Sequence, residues 1–596
     1  MGGSVMWGRY AAMMLSVAWG VELTYPAVLQ ASSCGTAGCT LTVGHVEILT
    51  DTYSLTTRGF NGGVPGPTFR MKPGETLSIS LVNNLLAANN KSCTETSSEF
   101  CEAAVTNLHT HGLHVSSKGM EDGWSYYSDD IFAAILPGFT APFKFAIPDN
   151  HMGGTHWYHP HHHHATAIQA GGGLVGTIIV DDPDGYLPSA YNDMTEKILF
   201  ISVHNLQTLQ TMAVSSQSDL LSTAATAATN SNLDTNLVLV NGQLGPTMTI
   251  ASHLWYRLRM IFAAVEQTVT MSATGDGICQ LKLLAKDGIY LETIPRDITS
   301  IYLYPGHRSD VAISCTCTTY PCTVMLGTGG RRLQGGMGRG GDGPGNAGAG
   351  ALAVDVMELS ITETSGGTVA DLPVTRVVRP CYLVDLQSAT VDAANTGALN
   401  LAGGPREVQW NGQGTSMTYA NTHANGGTMS SWPPLTTFTS GQVYEMTVTG
   451  ANAHPFHMHV NPYQITAMTD ASYGGGYFTT GDWHDTLLVA DGGGGLSTTV
   501  RTQTDTFTGK VVIHCHILEH EDEGMMGYIS ITGTEGAVWS GAEGIDSTCY
   551  RGAFDPTATA TTTTTSDAVA SGAGRVHFLL SLAIVLVAGI SELAFW

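Results

Sequence analysis

The stretch His514-Cys-His-Ile-Leu-Glu-His-Glu-Asp-Glu-Gly-Met-Met526 governs how the rest of the chain is read. Its first three residues alternate His, Cys and His. On a strand, residues i and i+2 face the same side, so His514 and His516 present two imidazoles to one site. Three more segments carry the same spacing: His109-Thr-His111, His159-Pro-His161 and His454-Pro-Phe-His457-Met-His459. Two lie in the first part of the chain and two in the last. Their surroundings are related as well. Gly154-Thr-His-Trp-Tyr-His-Pro-His161 parallels Gly509-Lys-Val-Val-Ile-His-Cys-His516, and Pro73-Gly-Glu-Thr-Leu-Ser-Ile-Ser80 parallels Ser440-Gly-Gln-Val-Tyr-Glu-Met-Thr447. Two related domains each supply half of one site.

Around these segments the pattern is that of short strands. Leu77, Ile79 and Leu81 alternate with Ser78 and Ser80, a period-two strand, and Asn61-Gly-Gly-Val-Pro-Gly-Pro67 is turn chemistry. Gly is abundant, with 71 residues, and Thr and Val recur, which favours strands and turns over helices. The chain has 596 residues, which at roughly 150 per domain leaves room for three or four units. The reading is all-β, with β-sandwich domains over residues 34–190, 191–370 and 371–540, the second interrupted by a Gly-rich loop at 327–350. Apolar residues make up 43% of the chain, enough for packed cores, and charged residues only 12%. The net charge of 24 − 49 = −25 makes nucleic acid a poor partner and small cations or neutral organics better ones.

The histidines are a metal-ligand set. Eight imidazoles in four pairs are too many for one ion, and imidazole suits copper, zinc and iron. The last segment narrows the metal, because two His, one Cys thiolate and a weak axial Met make a blue-copper centre. Cys515, His520 and Met525 provide three of these groups, and His454, three residues before His457, the fourth. His514 and His516 flank Cys515 directly and tie this centre to the histidine cluster by the shortest covalent route.

On these residues the chain resembles the multicopper oxidases, the group that contains laccases, ascorbate oxidase, ferroxidases and bacterial copper-efflux oxidases. All four motifs are present in order, similarity spans residues 40–535, and the fourth motif is closest to the bacterial copper-efflux and spore-coat type. The resemblance implies three cupredoxin-like Greek-key β-sandwich domains and about four copper ions. Type 1 copper would be held by His454, Cys515 and His520, with Met525 axial. Type 2 copper would take His109 and His457. The type 3 pair would take His111, His159, His161, His459, His514 and His516. Met526 is read as core. Pro160 stands where the repeated segment has Cys515, so domain 1 lacks a type 1 centre. His114, His151, His156 and His162 to His164 are read as supporting or surface residues.

The resemblance also implies O2 as electron acceptor and a small reducing substrate as donor, taken up at His454 and His520. Dioxygen reduction needs protons, and carboxylates near the cluster would handle them. Asp122, in Glu-Asp-Gly, and Glu521, directly after His520, match the acidic positions, and Asp129, in Ser-Asp-Asp-Ile-Phe, is the rival to Asp122. Laccase-type oxidation of phenols or aromatic amines is expected. A metal oxidase is the alternative, weakened because the Gly-rich loop holds only Met337 where a Met-rich insertion would stand. A copper nitrite reductase and a non-catalytic copper protein are further rivals.

The ends and the cysteines concern the compartment. Arg9, the apolar stretch from Tyr10 to Ala18 and the small residues Ala31, Ser32 and Ser33 have the order of a secretory signal, so residues 1–33 are set apart. Residues 541–577 read as a Thr-rich stalk and 578–596 as an apolar tail, and small residues ahead of that tail fit a GPI signal. A single transmembrane anchor is the alternative, opposed by Glu592. A cell-surface or extracellular glycoprotein is expected, with Asn90-Lys-Ser92 as its sequon. In that compartment the 11 cysteines should pair apart from Cys515. Cys315, Cys317 and Cys322 could instead bind a metal, but disulfides are favoured.

Overall fold

The computed structural model describes residues 14–17, 20–50, 54–85, 102–205, 236–328, 351–364, 368–403, 406–415, 417, 432–451, 454–469, 476–488 and 497–557. These residues form three β-sandwiches of two sheets each.

In the first sandwich, Cys39–Thr50, Thr76–Asn83 and Thr140–Ala146 lie side by side, flanked by Ser54–Phe60 and Met14–Val17. The alternating Leu77, Ile79 and Leu81 are buried in one core with Phe143 and Phe145. The second sheet runs Val28–Gln30, Thr68–Met71, Gly176–Val180, Gly154–His159, His109–His111. Here Thr68–Met71 pairs in parallel with Gly176–Val180, the last strand of the domain, and the following pairs are antiparallel.

The same pattern recurs twice. In the third sandwich it runs Thr436–Thr439, Met526–Thr532, Gly509–Cys515, Phe456–Met458. In the second it runs Thr247–Ala251, Asp355–Thr362, Cys322–Gly327, Val269–Gly275. The repeat seen between the histidine segments is thus a topological one, and it includes a middle domain with no His-x-His pair. All three are cupredoxin-like β-sandwiches.

Two boundaries differ from the sequence reading. Residues 20–33, set apart with the signal region, are built into the fold: Leu23 is buried, its N–H donates to Thr247 O at 2.8 Å, and Val28–Gln30 is the edge strand of a domain 1 sheet. Hydropathy cannot separate such a strap from a leader, because both are short and apolar. The stalk assignment also starts too early. Residues 541–556 belong to the folded body, with Ala542 buried, Cys549 bonded to Cys381, and Phe554 edge-on to Tyr186 at 4.9 Å. The Gly-rich stretch from residue 329 to 350, the sequon at Asn90, Cys93, Cys101 and residues 558–596 lie outside the described residues. Among the described residues no helix is long and apolar enough to cross a membrane.

Among the described residues four disulfides are formed: Cys34–Cys39, Cys279–Cys315, Cys317–Cys322 and Cys381–Cys549. Cys315, Cys317 and Cys322 are therefore bridged, and Cys515 is the one free cysteine among the described residues.

Candidate metal centres

The strand pairing brings the eight paired histidines together. His109 sits opposite His159, and His457 opposite His514, each across an antiparallel pair. The first and third sandwiches then face each other. The His109 ring stacks on His459 at 3.9 Å and the His111 ring on His457 at 3.8 Å. His514 Nε2 lies 3.2 Å from His161 Nε2 and 3.3 Å from His459 Nε2. All eight are at most 2% exposed. Ring nitrogens of His109, His111 and His159, of His109, His457 and His459, and of His161, His459 and His514 converge within 4.8 Å in each set.

Most of these rings are tethered through one nitrogen and leave the other open. His109 Nδ1 donates to Asp129 at 2.9 and 3.0 Å, His159 Nδ1 to Pro160 O at 2.9 Å, His457 Nδ1 to Asp485 O at 2.8 Å and His514 Nδ1 to Cys515 O at 2.9 Å. The opposite nitrogens of His109, His159 and His457, Nδ1 of His111 and both nitrogens of His516 are buried with no hydrogen-bond partner. Buried polar atoms are rarely left so, and each demands an explanation. A metal cluster supplies one, and the tethers fix tautomer and ring orientation as metal-ligating imidazoles require. Burial first, and neighbouring imidazoles second, hold His111, His159, His161, His457 and His514 well below the ordinary histidine range. The rings are neutral and free to donate a lone pair.

A second centre is built around Cys515. Its Sγ lies 3.6 Å from His454 Nδ1 and 3.6 Å from His520 Nδ1, and those two nitrogens are 3.1 Å apart. The short helix Leu518–Asp522 turns His520 back toward the sulfur. Met525, fully buried, is tied in by its N–H to His520 O at 2.8 Å and by Cys515 N–H to its own carbonyl at 3.1 Å. The Ile517 N–H reaches Sγ at 3.4 Å. Burial pushes the thiol up, so a thiolate here needs a cation at the sulfur. Two His, one Cys and a nearby Met are the donor set of a blue-copper site, and the residues present fit copper. Met526 packs elsewhere, with Ile131, Val512 and Tyr528.

Comparison with known proteins agrees with this donor set. Two family models, both described as multicopper oxidase, match residues 101–185 and 403–533. The chain is 24% identical over 501 residues to a multicopper oxidase of Staphylococcus haemolyticus, covering 82% of this chain and 87% of that one. It is 25% identical over 503 residues to a laccase of Bacillus subtilis, covering 80% and 90%. This chain belongs to the multicopper oxidase family. The McoA multicopper oxidase 2F4 variant of Aquifex aeolicus shares its fold, with a TM-score of 0.60, 20% identity and coverage of 86% of this chain and 100% of that one. So does a Campylobacter jejuni multicopper oxidase described as a metallo-oxidase, with a TM-score of 0.58, 19% identity and coverage of 89% and 99%. The protein is a copper oxidoreductase that uses O2.

In this multicopper oxidase the three carboxylates singled out from sequence separate clearly. Glu521 is fully buried, with Oε1 3.2 Å from His161 Nδ1, Oε2 3.4 Å from His514 Nδ1, and a hydrogen bond from Thr166 Oγ1 at 2.9 Å. Burial, then Asp522, raises its carboxyl well above the usual range. Asp122 is exposed in a single 3-10 turn, where its carboxylate accepts from Gly119 N–H at 2.9 Å. Asp129 instead lies against the cluster. It accepts from His109, and its Oδ2 is 3.4 Å from His459 Nδ1. Burial alone would raise Asp129, but the His109 and His459 rings outweigh it and hold it well below the carboxylate range. The Asp-Gly motif that favoured Asp122 makes a turn here, with Gly123 at φ 87°.

The additional histidines are all buried, so the surface alternative does not hold for them. His114 Nδ1 donates to Val460 O at 2.9 Å, and His162 Nε2 lies 3.1 Å from Glu102 Oε2. Sequence reasoning missed Asp485 and Thr486, whose oxygens lie 3.2 and 3.0 Å from His111 Nε2. The only hint was a run of polar residues, Asp482 to Thr486, broken by Trp483, and nothing in it pointed to a histidine 374 positions away.

Proposed function

We propose that this protein is a laccase-like oxidase with a type 1, a type 2 and a binuclear type 3 copper site. A type 1 copper would be held by His454, Cys515 and His520, with Met525 beside them. Type 2 copper would take His109 and His457, and the type 3 pair would take His111, His159, His161, His459, His514 and His516. One observation carries the reading. The buried His2Cys set and the histidine cluster share a single strand end, because Cys515 lies between His514 and His516. When bound, the copper ions supply one-electron uptake from a donor and the four-electron reduction of O2 to water.

The chain's own residues set the conditions for that chemistry. Cys515 and its two peptide neighbours form the covalent link between the centres. Ile517 N–H directs a hydrogen bond at the sulfur and moderates its charge. Glu521, buried between His161 and His514 with its carboxyl raised by burial, is placed to pass a proton beside the cluster. Asp129 holds the His109 ring by its Nδ1 proton and, with Thr110 N–H at 2.7 Å, keeps that strand in place. The donor is taken up at His454, which at 6% is the more exposed of the two type 1 imidazoles.

Phenols and aromatic amines are the substrate class this reading assigns. It is supported by the curated laccase relative and by the lack of a Met-rich segment in the sequence. Oxygen uptake with 2,6-dimethoxyphenol, Fe2+ and Cu+ in parallel tests it. A phenol turned over with the highest kcat/KM supports the reading. A far higher kcat/KM for either metal ion replaces it with a metal oxidase.

A further inference from the structure

Domain 2 contributes no histidine to either centre, yet one of its residues reaches the cluster. Arg308 begins the strand Arg308–Cys317 and is fully buried. Its five N–H groups all have acceptors, in three domains. Nε donates to Thr155 O of domain 1 at 3.3 Å. Within domain 2, Nη1 donates to Gly306 O at 3.0 Å and Nη2 to Asp287 O at 2.9 Å. The remaining two close a bidentate pair with the Asp485 carboxylate of domain 3, Nη1 to Oδ1 at 2.7 Å and Nη2 to Oδ2.

Asp485 passes this hold to two ligands. Its Oδ1 lies 3.2 Å from His111 Nε2 and accepts from Thr486 Oγ1 at 2.8 Å. Thr486 Oγ1 lies 3.0 Å from His111 Nε2 and 3.1 Å from His457 Nδ1, and Asp485 O accepts from His457 Nδ1 at 2.8 Å. The nitrogens left open are His111 Nδ1 and His457 Nε2. The guanidinium packs closely against Gly112, the residue after His111. A Cβ there would strike Arg308 Nη2 and sit 2.8 Å from Asp485 Oδ2, and Gly112 has φ 92°. A planar fork with every donor used leaves this arrangement no slack.

We propose that Arg308 is a positioning residue through which domain 2 sets the copper affinity of the cluster: it fixes Asp485, and Asp485 with Thr486 fixes the tautomer and ring angle of His111 and His457. This rests on the copper-cluster reading above. It gives the ligand-free domain a part in metal binding.

The test uses the full chain loaded with copper, in the parent, Arg308→Lys and Thr486→Val. Arg257→Lys serves as a control, since Arg257 is another buried domain 2 arginine with its own carboxylate partner, Asp310. Copper is stripped by graded chelator while the type 2 EPR signal and the blue absorption are followed. Lysine keeps the charge but cannot make the bidentate fork. Loss of such an outer contact weakens metal binding about 10- to 100-fold. Arg308→Lys should therefore lose the type 2 signal at about 10- to 100-fold lower chelator, with altered hyperfine splitting, while its blue band titrates as in the parent. Thr486→Val, which disturbs no buried charge, should shift in the same direction and carries the test if Arg308→Lys does not fold. Arg257→Lys should not shift. Type 2 affinity and splitting equal to the parent in both Arg308→Lys and Thr486→Val, or an equal shift in Arg257→Lys, overturn the proposal. A parent chain that binds no copper overturns the reading beneath it, and the proposal with it.

Discussion

Asp129 accepts a hydrogen bond from His109 Nδ1 through both carboxylate oxygens, at 2.9 and 3.0 Å, with both side chains 1% exposed. Seven residues earlier, Asp122 faces solvent. The two carboxylates therefore separate in environment. Asp129→Asn should slow reoxidation of the reduced enzyme by O2 about 10²-fold, and Asp122→Asn should leave it within about twofold of the parent, as expected of an exposed turn. Stopped-flow mixing with O2 measures both. Equal effects from the two variants would put the assignment of Asp129 in error.

Cys515→Ser should abolish the blue absorption and dye oxidation, because a hydroxyl of ordinary pKa does not replace a thiolate at copper. The histidine cluster has its own donors and should keep its metal. Copper analysis should show the loss of about one ion per chain. A variant that stays blue rules out Cys515 as the type 1 ligand.

Asp505 lies apart from the histidines and gives a clean pH effect on stability. It is 2% exposed, accepts from Trp539 N–H at 2.7 Å, and burial pushes it up to about 6. A carboxyl raised in the folded state contributes stability below its unfolded pKa, and that stability is lost as pH rises through the folded value. Asp505→Asn keeps an acceptor for Trp539 and removes the buried charge. It should unfold at higher temperature than the parent at pH 8, by about 1–3 kcal/mol in stability, and match it near pH 4. Calorimetry at the two pH values decides, and a variant less stable than the parent at pH 8 would refute the buried-charge account.

Cys381–Cys549 joins residues 168 apart and clasps the segment after domain 3 to the start of that domain. Replacing both cysteines by Ala should cost about 2–5 kcal/mol, because the unfolded chain regains the freedom of a long loop. Copper content should be unchanged. Denaturant unfolding at fixed copper loading measures the loss, and a change below about 0.5 kcal/mol would mean that packing of Tyr550 and Phe554 alone holds the segment.

The sequence by itself determined the chemistry of the ligands. His-x-His on a strand is a local rule, and so is the thiolate flanked by two histidines. Periodicity placed Leu77, Ile79 and Leu81 in a core for the same reason. What only the tertiary structure decided are pairings across distance. The apolar strap around Leu23 and Val28 reads as a leader until its strand partners are known. Asp122 and Asp129 both sit near the first motif, and the choice between them depended on which one a turn exposes and which one the His109 and His459 rings enclose. Arg308 and Asp485 are 177 residues apart, each an ordinary charged residue in its own stretch. Their meaning arises only where three sandwiches meet and exclude water, because there a buried charge must find its partner.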